Sequence, residues 1–128
     1  MSRTIETHTA RISLLKGNIV KMKFKQDIEA SMEDIQQNHK AALTLSKNKK
    51  HFVLLDVRGY VTGSDKARAF CASQDPVHYR IAVAALVDSL AVRLRCNSFI
   101  KFNKPKVPTR VFSEEKLAIG WLLTQITE

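Results

Sequence analysis

Asp56 ends a run of apolar residues, Phe52-Val53-Leu54-Leu55, and is followed by Val57 and Arg58. Beyond them stand two glycines, Gly59 and Gly63, with the hydroxyls of Thr62 and Ser64 on either side of the second. Three chemistries use an acid at the end of an apolar run followed by a glycine-containing loop. A carboxylate can share a divalent cation with another acid, for which Asp88 is the candidate. Glycines can let backbone N–H groups cradle a phosphate. A Ser or Thr at the start of a helix can carry a phosphoryl group, whose charge the helix N-terminus favours.

The residue types exclude one of these and leave two open. Residues 59–64 echo a phosphate loop, but the spacing is wrong and no Lys follows the second glycine. Asp56 and Asp88 both fall at strand ends, where a metal pair, a hydrogen-bonded strand end and a helix cap are all open readings. His8, His51 and His78 stand near a terminus or at element starts, and His39 lies on the apolar stripe of a helix. None has a local nucleophile or carboxylate to work with. Cys71 and Cys96 lack an activating base and fall on helices, where a small core residue is the usual role. The expectation is a protein that is not an enzyme and uses no metal or cofactor. Ser64 and Thr62 remain as sites for a phosphate that Arg58, Lys66 and Arg68 would screen, or Ser64 is a plain N-cap.

The elements that must position these residues follow from periodicity. Residues 11–25 alternate as two strands joined at Gly17-Asn18, a hairpin signal. In the second strand Val20, Met22 and Phe24 share the core face, while Lys21, Lys23 and Lys25 share a face turned to water or a partner. Ser31 opens a helix with Asp34 placed for a capping box, and Met32, Ile35, Ala42 and Leu45 recur at helical spacing. The polar run Lys47-Asn48-Lys49-Lys50 ends it. Residues 52–56 and 80–87 are near-continuous apolar runs, suited to strands covered on both faces. Helices are expected over residues 64–73 and 89–102, the latter capped by Asp88 or Ser89. A last strand runs over residues 109–112, and Ser113 caps a final helix with Leu117, Ala118, Trp121 and Leu122 inward. The order β-β-α-β-α-β-α-β-α implies an α/β domain with a mixed, mostly parallel five-stranded sheet and four helices. No linker or repeat divides it, so residues 1–128 are expected to form one domain.

On a helical wheel the third helix has two apolar stripes. Leu90, Ala91 and Leu94 form one; Val92, Cys96, Phe99 and Ile100 form the other. One sheet covers one stripe, so the second needs a neighbour. That neighbour is either another helix of the same domain or a second chain; on the second reading Val92, Cys96, Phe99 and Ile100 form an interface, with Arg93, Arg95 and Lys101 as its rim and a homodimer as the expected assembly.

Charge bounds the partners. The chain carries 21 Lys and Arg against 12 Asp and Glu, a net +9, and residues 89–113 hold six basic residues and no acid. This suits an anionic lipid surface, an acidic protein or a plain solvated face. With only 7% aromatic residues and no stacking motif or recognition helix, the chain argues against nucleic acid. No apolar run approaches the ~20 residues of a membrane span, and two cysteines without a scaffold pattern suit the cytoplasm.

The element order, the opening hairpin and the run VLLDV leading through a loop to a Ser-headed helix resemble the STAS domain, the fold of bacterial anti-sigma factor antagonists of the SpoIIAA type. The stretches AVAALVDSLAVRL and KFNKPKVPTRVFSEEKLAIGWL resemble small uncharacterised bacterial proteins of a SpoIIAA-like branch. The resemblance covers residues 10–126. It implies a non-enzymatic regulatory or protein-interaction module that recognises a partner through residues Asp56, Arg58, Thr62, Gly63 and Ser64. In that family the loop reads Asp-Ser-(Ser/Thr)-Gly and its second hydroxyl is phosphorylated by a partner kinase; here the place reads Val61-Thr62-Gly63-Ser64-Asp65. The alternative is an anion- or lipid-binding module using the basic segment 93–110.

Overall fold

The structure is a computed structural model that describes residues 3–26, 29–58, 62–63, 79–103 and 106–125. Its main sheet grows from the hairpin that the alternation predicts. Strands β2 (Ala10–Leu15) and β3 (Ile19–Phe24) pair antiparallel with Leu15 opposite Ile19, so the loop is three residues, not two. Gly17 (φ 87°) and Asn18 (φ 60°) take the left-handed conformations that such a reversal needs. A Cβ on Gly17 would stand 3.1 Å from Leu123 Cδ2, so the turn is also pressed against the chain's last helix.

A strand the alternation did not reveal, β1 (Thr4–Glu6), pairs with β2 at the edge. It is polar and only three residues long, too short for a periodicity to show. On the other side β5 (His51–Asp56), β7 (Arg80–Leu86) and β8 (Thr109–Phe112) add in parallel, giving the order β1-β2-β3-β5-β7-β8. The main sheet therefore has six strands rather than the expected five. Two further two-residue strands, β4 (Glu29–Ala30) and β6 (Thr62–Gly63), pair parallel to each other. Three helices are described: α1 (Met32–Ser46), α2 (Leu90–Asn103) and α3 (Glu115–Leu123). The fourth, expected over residues 64–73, lies outside the described residues. None of the described helices is long and apolar enough to cross a membrane.

The two faces of the sheet bury different sets. On one, Ile12, Val20, Met22, Val53 and Val83 pack with Ala41, Ala42 and Leu45 of α1. On the other, Ile19, Phe52, Leu54, Ala82, Ala84 and Leu86 pack with Ala118 and Leu122 of α3. Double coverage is why β5 and β7 are apolar at nearly every position. The Phe112 and Trp121 rings, 5.7 Å apart, join edge strand β8 to α3, with the Arg110 guanidinium over both. Leu117, expected inward, is 58% exposed, because the stripe that meets the sheet is Ala118 and Leu122.

Helix ends confirm one cap and correct another. Ser31 Oγ accepts from the Asp34 N–H at 3.1 Å while the Asp34 carboxylate accepts from the Ser31 N–H at 3.0 Å, a complete capping box. α1 closes with Lys47 and Asn48 both left-handed, and the Asn48 N–H reaches back to the Leu43 carbonyl. At α3 the N-cap is Glu114, without a side-chain cap bond, and not Ser113. The expected stripe of α1 passes over a polar link: buried Asn38 accepts from Thr7 Oγ1 and donates to Thr9 Oγ1 at 3.0 Å. It fastens the helix to the β1–β2 connection. Asn38→Ala leaves two threonine hydroxyls without this partner and is expected to cost about 2 kcal/mol, seen as a lower urea midpoint at unchanged m-value.

Candidate functional site

Asp56 is the last residue of β5, and strand alternation turns it to the α3 face together with Phe52 and Leu54. Its neighbour across the sheet is Lys23 of β3 on one side and Leu86 of β7 on the other. Its side chain is fully buried. A carboxylate there must be paired or neutralised. Arg58, two residues on, folds back to pair it: the backbone N–H donates to Oδ1 at 3.2 Å, Nε to Oδ1 at 2.9 Å and Nη2 to Oδ2 at 2.7 Å. Both oxygens are thus held in a forked geometry that only arginine offers.

Two lysines complete the ring of charge. Lys23 Nζ stands 3.5 Å and Lys21 Nζ 4.0 Å from Asp56 Oδ2. Lys21 also donates to Glu115 Oε1 at 2.7 Å, and the same oxygen lies 3.7 Å from Arg58 Nη2. Glu115 is in the first turn of α3, where an acid is also favoured by the helix dipole. Burial by itself pushes the Asp56 carboxyl pKa up. Hydrogen bonds from Arg58, its charge and that of Lys23 together overcome this and hold it below the usual carboxylate value. The Arg58 guanidinium is held higher than usual, first by its hydrogen bonds to Asp56. The group is therefore a locked ion cluster: three cations, two carboxylates, with β3, β5, the segment after β5 and α3 all contributing.

Asp88 does not share a cavity with Asp56. It is exposed at the end of β7, and its charge reaches Arg58 across the strand ends. Ser89 is the residue that caps α2, accepting from the Val92 N–H at 3.2 Å. Among the described residues no three His, Cys, Asp or Glu side chains gather as a metal-ligand set. A shallow cleft of about 440 Å³ opens beside Asp88, lined by Val87, Ser89, Leu90, Arg93 and Ser113. It lies at the carboxyl ends of β7 and β8, where open α/β sheets receive ligands.

The remaining predicted site residues scatter. Thr62 and Gly63 form β6 and pair with Glu29 and Ala30, the two residues before the Ser31 cap. They are thus tethered to the start of α1. Ser64 lies outside the described residues.

The two stripes of α2 are the reverse of the expectation. Val92, named as an interface residue, is 5% exposed, and Cys96, Phe99 and Ile100 are half-buried. This stripe faces inward; α2 sits against β8. Burial pushes the Cys96 thiol pKa up, partly opposed by Arg95. The outward stripe is Leu90 (70% exposed) and Leu94 (59% exposed). Both stripes are apolar, so only the placement of the helix on the sheet decides between them.

Lys21, Lys23 and Glu115 belong to the cluster and were not singled out from the sequence. The signal was present in part: Lys21 and Lys23 alternate on the face that Asp56 shares once β3 and β5 are parallel neighbours. His51, at the other end of β5, is also fully buried. Its Nδ1 lies 2.9 Å from the Lys49 carbonyl and so donates to it, leaving buried Nε2 without a hydrogen-bond partner. Burial, and the charge of adjacent Arg80, lower its pKa against the Lys49 hydrogen bond, which raises it.

The fold is of the SpoIIAA-like α/β type. Over 95% of this chain and 92% of the other, the structure is similar to an uncharacterized protein of the DUF3478 family from Shewanella loihica PV-4 with a SpoIIAA-like fold. The TM-score is 0.57 and the identity 12%, so the likeness is one of fold. The chain itself belongs to the family described as Domain of unknown function (DUF7793), which matches residues 13–126. No curated protein matches it.

Two stability effects follow. Arg58→Ala leaves a buried carboxylate to two lysines and is expected to cost about 3 kcal/mol, with the Arg58→Ala, Asp56→Ala double variant less destabilised than the sum of the singles; urea unfolding of the cycle measures this. His51 has a folded pKa below its unfolded value of about 6.5, so its neutral form stabilises the fold above that pH. That contribution is lost as pH falls, because the unfolded chain takes up the proton first. Wild type is expected to lose stability as pH falls through about 6.5, and His51→Asn, which keeps a donor for Lys49 without the titration, to lose less.

Proposed function

We propose that this chain is a non-enzymatic regulatory or protein-interaction module of the STAS type, acting as one domain in the cytoplasm. The observation that carries this reading is the Asp56–Arg58 clamp. Asp56 is the residue on which strand-end chemistry would turn, and it is ionised, buried and fully hydrogen-bonded. Such a carboxylate is a poor general base and has no open oxygen to offer a substrate. Its place in this reading is mechanical: it sets the direction in which the chain leaves β5 toward Thr62 and Gly63.

Recognition is assigned to that departing segment. β6 holds Thr62 and Gly63 beside the N-terminus of α1, and Ser64 follows directly. A phosphate on Ser64 or Thr62 would add about two negative charges next to Arg58, Lys66 and Arg68 in sequence. The fold likeness supports a module of this kind, and the partner enters through the segment's chemistry alone.

The test uses the intact chain as bait in its host's extract, with Ser64→Asp and Thr62→Asp as variants that leave Asp56 and Arg58 untouched. A stoichiometric protein partner whose recovery changes with Ser64→Asp is expected, together with phosphate on Ser64 or Thr62 by mass spectrometry. A substrate turned over by wild type and not by Asp56→Asn at matched folding overturns the reading.

A further inference from the structure

The outward stripe of α2 is left uncovered by the described residues. Leu90 and Leu94 are one helical turn apart, both largely in water, and they are the two most exposed large apolar side chains among the described residues. Leu90 also lines the cleft with Val87, Asp88, Ser89, Arg93 and Ser113, so stripe and cleft form one surface whose lining includes one carboxylate, Asp88, and one guanidinium, Arg93. Exposed Arg95 lies to one side of it and exposed Lys101 follows two turns beyond Leu94 on the same helix, within a 25-residue segment, 89–113, that has six basic residues and no acid.

Three of the possible occupants fit poorly. A second copy would set Leu90 and Leu94 against their equivalents but bring no acid from residues 89–113 to the basic residues around them, since that segment has none. A membrane needs an apolar stripe running along the helix, but the positions that continue this one are Asn97, Ser98 and Lys101, all exposed and polar. Nucleic acid gains nothing from two leucines. The geometry points to an acidic amphipathic helix of another protein: two apolar side chains seat on Leu90 and Leu94 and into the adjoining cleft, and carboxylates on either side meet Arg93, Arg95 and Lys101. The surface is distinct from the segment after Asp56, and rests on the module reading only in taking the occupant to be a protein.

The probe is a short synthetic helix with two leucines one turn apart between glutamates, titrated against the intact chain by fluorescence anisotropy. Binding is expected, weakening as salt rises. Leu90→Asn with Leu94→Asn should weaken it roughly tenfold without changing any charge, and Arg95→Glu with Lys101→Glu should weaken it further. Lys47→Glu with Lys49→Glu and Lys50→Glu, remote basic residues, should leave the peptide's leucines worth as much as in wild type. These leucines are solvent-exposed, so the variants fold, which thermal melts check. The inference is overturned by no binding, by equal binding of a peptide with serine in place of its leucines, by tighter binding to anionic phosphatidylserine vesicles than to the peptide, or by a sedimenting dimer that Leu94→Asn dissolves. If Ser64→Asp still alters partner recovery while the peptide is ignored, this surface fails and the module reading stands.

Discussion

The constraint on which the carboxyl end of the sheet depends is that a fully buried carboxylate must stay ionised. Asp56 stands between the Lys23 and Leu86 strands with no access to water. Removing such a charge from solvent costs several kcal/mol, and only close cations with hydrogen bonds offset it. The Arg58 fork does most of this, and two lysines of β3 add charge at 3.5 and 4.0 Å. Because Arg58 must turn back to reach Asp56, the course of Val57 and Arg58 is set by electrostatics. Because Lys21 must also answer Glu115, the start of α3 is set by the same cluster.

The two ends of β5 solve the burial of a titratable group in opposite ways. At the amino end, His51 sits across from Arg80, a neighbour of the wrong sign, and burial reinforces the neutral ring. At the carboxyl end, Asp56 has Arg58 and two lysines close by and is kept charged. One strand therefore carries a silent base and a silent acid, each held in the protonation state that its surroundings tolerate. The sheet's polarity then separates two candidate surfaces: the segment after Asp56, tied to α1 through the β4–β6 pair, and the outward stripe of α2 with its cleft.

Much of the scaffold is legible in local pattern, because the forces that shape it act over a few residues. The alternation of Val20, Met22 and Phe24, the Ser31–Asp34 capping box and the apolar runs of β5 and β7 each depend on strand or helix period alone, and each is found as expected. The short elements are not legible: β1 is polar and three residues long, and β4 and β6 are two-residue strands that exist only because each has the other to pair with. Ser113 has the right residue type for a cap, yet the helix begins one residue later, where Glu115 can meet Lys21.

By itself the sequence determined the α/β class, the parallel core strands, the position of Asp56 at a strand end and the excess of positive charge around α2. Tertiary structure alone decided which lysines surround Asp56, since parallel register sets β3 beside β5 across more than thirty residues of chain. It alone decided that Val92 and Cys96 turn inward while Leu90 and Leu94 face out. Both choices rest on distances between elements, and side-chain type constrains those only after the sheet has brought the elements together.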